Sequence, residues 1–157
     1  MLALRLITTL KSFLFIALMS YLAGCSTADT MAQDLSKHRW ENRLIIMQAD
    51  DAKNTQLLQQ IKTFSAETEG LRDRKLLVYQ CFGGEATEAF DPKKQTALNN
   101  RVSSAFQQMN GPFKLLLVGL DGGIKLRSES PVTVNQIFGL IDTMPMRRAE
   151  QARKKND

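Results

Sequence analysis

The stretch FKLLLVGLDGGIKLR, residues 113–127, decides the fold. Residues 113–119 form an apolar run broken only by Lys114, of a length suited to a buried strand. Asp121-Gly122-Gly123 follows, and an Asp-Gly pair supplies the positive φ that tight hairpin turns require. Residues 124–127 then alternate, with Ile124 and Leu126 on one face and Lys125 and Arg127 on the other. That pattern suits an edge strand guarded by charge. The two runs therefore predict an antiparallel hairpin.

Working outward toward the N-terminus, strand and helix patterns alternate. RLIIMQA at 43–49 is a compact apolar run of strand length, and Asp50, Asp51 and Asn54 after it are turn and helix-cap types. Leu57, Leu58, Ile61 and Phe64 recur at helical spacing until Gly70 offers a stop. Residues 72–75 form a polar turn, and LLVYQCF at 76–82 predicts a second buried strand. Residues 83–94 are expected to be a loop around Gly83, Gly84 and Pro92. Leu98, Val102, Ala105, Phe106 and Met109 mark a second helix, closed by Asn110-Gly111-Pro112. Beyond the hairpin, Thr133 can cap a last helix carrying Val134, Ile137, Phe138, Leu140 and Ile141, which Met144-Pro145 ends.

The resulting order is β-α-β-α-β-β-α. It predicts the α/β class: a small mixed sheet flanked by helices, the thioredoxin-like arrangement. The first two units are expected to be right-handed parallel crossovers. The second and third strands, both continuously apolar, are expected at the centre of the sheet. No internal repeat or second domain is visible.

The N-terminus speaks of location. Arg5 and Lys11 supply positive charge, and residues 12–22 (SFLFIALMSYL) are mostly apolar. Eleven such residues are too few to span a bilayer, which takes about 20, but they suit a signal peptide. The run ends in Leu22-Ala23-Gly24-Cys25, which matches the bacterial lipobox. Small Ala23 and Gly24 admit a peptidase, and the Cys25 thiol is the nucleophile that accepts diacylglycerol. Cleavage is therefore expected between Gly24 and Cys25, with the membrane as partner through lipid on Cys25. Ser26 stands where inner-membrane retention typically uses aspartate, so similarity to Gram-negative lipoproteins implies an outer-membrane protein facing the periplasm. The expected organisation is a leader over 1–24, a tether over 25–34, a domain over 35–146 and a basic, solvated tail over 147–157.

Two of the 21 basic side chains fall in the leader, which leaves 19 against 16 acidic ones and a net of +3. That excess is too small to imply nucleic-acid binding. With Cys25 lipidated, Cys81 is the one thiol left, so no intramolecular disulfide can form in the mature chain.

Three stretches carry a family resemblance: LSKHRWENR at 35–43, LLLVGLDGGIKLR at 115–127 and IFGLIDTMPMR at 137–147. Together they resemble the bacterial family catalogued as domain of unknown function 4174. Related domains in some secreted animal matrix proteins have been compared with peroxiredoxins. The resemblance implies a thioredoxin-like fold and no particular activity.

Thioredoxin chemistry needs Cys-x-x-Cys after the first strand, where a helix N-terminus lowers the nucleophile's pKa. Residues 48–54 (QADDAKN) hold no sulfur there, which excludes dithiol exchange. Cys81 lies late in an apolar strand and is expected to be a small core hydrophobe. The alternative is a one-cysteine, peroxiredoxin-like enzyme resolved by a partner thiol. Pro112 occupies the place of the thioredoxin cis-proline, and an ordinary trans peptide is preferred. His38, the single histidine, has no companions for a metal site or a triad and is expected at the surface. Trp40 between Arg39 and Arg43 could make a cation–π ligand platform, against a preferred role as a buried anchor. Lys125 and Arg127 complete the surface candidates. Neither a cofactor nor a metal is expected. The function favoured by these residues is a non-catalytic binding module, with another envelope protein as a possible partner.

Overall fold

Strand β1, Arg43–Ala49, buries every residue except Gln48, as a strand covered on both faces must. The computed structural model describes residues 34–156, and the leader, Gly24 and Cys25 lie outside them. After β1 come α1 (Thr55–Ser65), α2 (Thr68–Asp73), β2 (Leu76–Phe82), β3 (Glu85–Glu88) and β4 (Asp91–Ala97). They are followed by α3 (Asn100–Gln107), β5 (Phe113–Val118), β6 (Ile124–Ser128), α4 (Val134–Asp142) and α5 (Pro145–Lys154). A short 3₁₀ turn, Leu35–His38, precedes β1.

The six strands form one mixed sheet in the order β4-β3-β2-β1-β5-β6. Only β1 and β2 are parallel, with Arg43 opposite Leu76 and Gln48 opposite Cys81. Strand β5 pairs antiparallel with β1, Leu117 facing Ile45. Two expectations are thereby corrected. The second strand-helix unit is not a parallel crossover, and although β2 is central as expected, its central neighbour is β1, which separates it from β5.

Residues 83–94 are not a loop. They supply β3 and half of β4, a hairpin that extends the sheet beyond β2. Its residues are polar because β4 is an edge: positions 92–95 are exposed, and Pro92 needs no ladder partner there. The expected β5–β6 hairpin is present, with Gly122 at φ 74°.

Alternate residues of the strands feed two cores. Ile45, Met47, Val78, Leu115 and Leu117 pack with Leu57 and Phe64 of α1, Leu71 of α2, and Ile137 and Ile141 of α4. Leu44, Ile46, Tyr79, Cys81, Leu116 and Val118 pack on the other face with Leu35 and with Val102, Ala105 and Phe106 of α3. The cap expected at Thr133 is present: Thr133 and Gln136 form a full capping box at α4. Among the described residues no helix is long and apolar enough to cross a membrane.

Gly70 does not stop a helix. It sits inside α2, where a Cβ would lie 2.5 Å from Cε2 of Phe138. The guanidinium of Arg74, 4.0 Å from the centroid of the same ring, restrains its escape. Alanine at 70 would gain about 1 kcal/mol of helix propensity against an overpacking cost of about 1–3 kcal/mol. Gly70→Ala is expected to shift the urea midpoint downward, a net loss of about 1 kcal/mol.

The expected solvated tail is also corrected. Residues 145–154 are α5, with Pro145 at its first turn and Arg147 only 2% exposed. Its attachment is ionic. Arg147 bonds Asp73 and Asp142, Lys154 bonds Asp73, and Glu150 accepts from Arg43 at 3.2 Å.

Candidate functional site

The turn after β1 is built as structure, not as a redox centre. Asn54 caps α1, its Oδ1 accepting from Gln56 and Leu57 backbone N–H at 3.0 and 3.1 Å. Asp51 Oδ1 accepts from the Lys53 N–H, and the amide of Asn54 donates to Pro112 O at 3.3 Å. The peptide before Pro112 is trans. Asp50 and Asp51 therefore precede the cap without forming it.

Cys81 is fully buried among Ile46, Ala86 and Val102, on the face of the sheet opposite α1. Burial pushes its thiol pKa up to about 12. A lowered thiol pKa is what usually makes a reactive cysteine, whereas the one cause acting on this sulfur is desolvation, which raises it.

The opposite end of β1 is more open. The chain leaves the 3₁₀ turn through Trp40, whose N–H donates to Leu120 O at 2.7 Å. This bond ties two of the quoted motifs together, the segment before β1 and the β5–β6 turn. Trp40 takes φ 69°, a region bulky residues rarely enter, and stays 56% exposed. It is not the buried anchor expected. Arg39 lies over its ring, 5.2 Å from the centroid, so that half of the cation–π platform exists. Arg43 is no part of it: the side chain is 1% exposed and donates to Arg74 O and Glu150 beneath α5.

Beside this turn lies a cleft of about 380 Å³. Its lining includes Asp34, Ser36, His38, Arg39 and Asn42, then Asn99, Asn100 and Arg101 at the start of α3, and Gly119, Asp121 and Gly122 of the β5–β6 turn. Arg101 Nη1 donates to Gly122 O at 3.2 Å. Asp121 is held below its ordinary carboxylate range, first by Lys125 Nζ at 2.7 Å and then by the Gly123 N–H. Lys125 thus serves the turn, while Arg127 is exposed farther along β6.

His38 is half-buried rather than free on the surface. Its Nε2 and Tyr79 Oη lie 2.9 Å apart, and Asn42 Nδ2 approaches Nδ1 at 3.5 Å. Desolvation and then Lys37 lower its pKa, against Glu41, so the ring is neutral at pH 7. Burial, helped by Glu88, pushes Tyr79 up to about 12. The pair is an uncharged bond under the cleft floor. Asn42, Asn99 and Arg101 were missed from sequence, since they come from separate elements and share no spacing.

With this geometry in view, three comparisons bear on identity. A crystal structure of reduced Plasmodium vivax 2-Cys peroxiredoxin is similar with a TM-score of 0.50 at 8% identity, covering 73% of this chain and 72% of that one. That likeness supports the thioredoxin-like fold. Coiled-coil domain-containing protein 80 of Danio rerio is 28% identical over 135 residues, 75% of this chain, and the match spans 16% of that relative's length. The family model for domain of unknown function 4174 matches residues 34–150, and the chain belongs to that family.

Proposed function

We propose that this protein is an exported lipoprotein, anchored through Cys25 at the outer membrane and facing the periplasm, whose thioredoxin-like domain binds another envelope component and performs no thiol chemistry. The lipobox at 22–25 supports the anchor. The observation that carries the binding reading is Trp40. A large aromatic ring is held out in solvent on a left-handed backbone that costs of order 1–3 kcal/mol, with a bond to Leu120 fixing it there. Tryptophan is enriched among the residues that anchor interfaces, and an exposed ring held in a fixed position supports contact with a partner.

The test has three readings. Cys25→Ala should accumulate uncut precursor and leave the detergent phase; normal maturation with membrane partitioning would end the lipoprotein reading. Trp40→Ala should lose envelope components that the wild type retains in affinity capture, with an unchanged unfolding midpoint. Peroxide consumption should stay at background in wild type and Cys81→Ser alike. Turnover that disappears in the serine variant would replace the module with a one-cysteine enzyme.

A further inference from the structure

We propose that the cleft between Arg39, Arg101 and Gly122 binds a phosphate group, an assignment that rests on the binding-module reading. Buried Arg43 and Arg147 and half-buried Arg74 are committed: Arg43 pairs with Glu150, Arg74 with Asp142, and Arg147 with Asp73 and Asp142. Arg39 and Arg101 differ. Both line the cleft, and neither is in an ion pair among the described residues.

Both also meet at one peptide. Arg101 Nη1 is 3.2 Å from Gly122 O, and a Cβ placed on Gly122 would lie 3.8 Å from Cδ and 4.0 Å from Nε of Arg39. Arg101 keeps N–H donors beyond its bond to Gly122 O, and Arg39, whose stem reaches the same glycine, brings a second guanidinium to the cleft lining; arginine is the donor type suited to a tetrahedral oxyanion. The acidic groups of the lining do not cancel this charge. Asp121 is neutralised by Lys125, and Asp34 accepts from the Ser36 N–H at 2.7 Å. Two arginines against one unneutralised carboxylate favour a phosphate monoester, which carries about −1.5 to −2, over a carboxylate. The cleft, about 380 Å³, leaves room for an organic remainder beside the phosphate. That remainder is either a lipid or a small soluble molecule.

Trp40, the sole tryptophan, reports on the site because Arg39 covers its ring. The full lipidated chain is titrated at constant ionic strength with glycerol phosphate, and separately with phosphatidylcholine vesicles with and without phosphatidic acid. Tryptophan emission and calorimetry are the readouts. A saturable response is expected, its apparent Kd raised about tenfold or more in Arg39→Gln and in Arg101→Gln, and unchanged in Arg127→Gln. Saturation by glycerol phosphate assigns a soluble ester. Saturation only with phosphatidic acid assigns a lipid headgroup. No saturable response to either, equal weakening in Arg127→Gln, or reproduction by chloride overturns the proposal. A flat titration while capture still depends on Trp40 defeats the phosphate assignment alone; capture that ignores Trp40 defeats the module.

Discussion

Native protein treated with iodoacetamide at pH 7.5 is expected to label Cys81 about a thousandfold more slowly than the chain in urea, read from the Cys81 peptide by mass. The thiolate is the reacting species. Moving the pKa from 9.0 to about 12 cuts its fraction by about three powers of ten. Full burial adds a steric block. The same shift makes folding depend on pH. The folded thiol holds its proton where the unfolded one has lost it, so this contribution is complete below pH 9 and declines as pH rises toward 12. Tyr79, raised from 10.0 to about 12, acts in the same direction over the upper part of that window. Cys81→Ala should flatten the alkaline limb of the stability curve from pH 9 upward. Fast native labelling would place the sulfur at the surface and overturn this account.

The second large effect belongs to Arg147. Its Nη1 donates to Asp73 O at 2.7 Å, Nη2 meets the Asp73 carboxylate, Nε reaches Asp142 Oδ1 at 3.1 Å, and Glu150 lies 3.7 Å away. Arg147→Ala leaves acidic groups facing one another around an emptied, buried position. The expected loss is about 3 kcal/mol in denaturant unfolding, with α5 becoming protease-sensitive. Arg147→Lys restores charge but not the fork and should recover only part. Acid should act at the same place. Asp73 is lowered, first by its bond from Lys154. For Asp142 burial pushes upward, and the bonds from Arg74 and Arg147 overcome it. Depressed carboxylates stabilise the fold above their ordinary value of 3.8, and that stability is lost as pH falls through the folded values. An Arg147→Ala variant as stable as wild type at pH 7 would show that α5 is held by something else.

The elements legible in the sequence were those written in apolar spacing. The four strands at 43–49, 76–82, 113–118 and 124–128 lie where their apolar runs lie, and the Asp121-Gly122 turn and Thr133 cap follow from local chemistry. What escaped was held by other forces. Strands β3 and β4 bury only Ala86, Glu88 and Thr96, so no apolar run announces them. Helix α5 buries only a charged residue, Arg147, and a periodicity of hydrophobic residues cannot register ion pairs to Asp73 and Asp142. Trp40 inverted the usual rule because its position is fixed by backbone hydrogen bonding to Leu120, not by packing. The cleft joins the 3₁₀ turn, α3 and the β5–β6 turn, and only the folded topology brings them together.

The borders of the sheet carry a further consequence. One border is β4, where Pro92 offers no N–H and Lys93 and Lys94 are exposed; the other is β6, with exposed Lys125 and Arg127. Two copies meeting along β4 would lack a ladder donor at Pro92, and two meeting along β6 would bring the exposed Arg127 of each copy together. Fibril growth by strand stacking needs repeated, unobstructed borders of low charge. Pro92 on one border and the exposed charge of β6 on the other stand against both requirements.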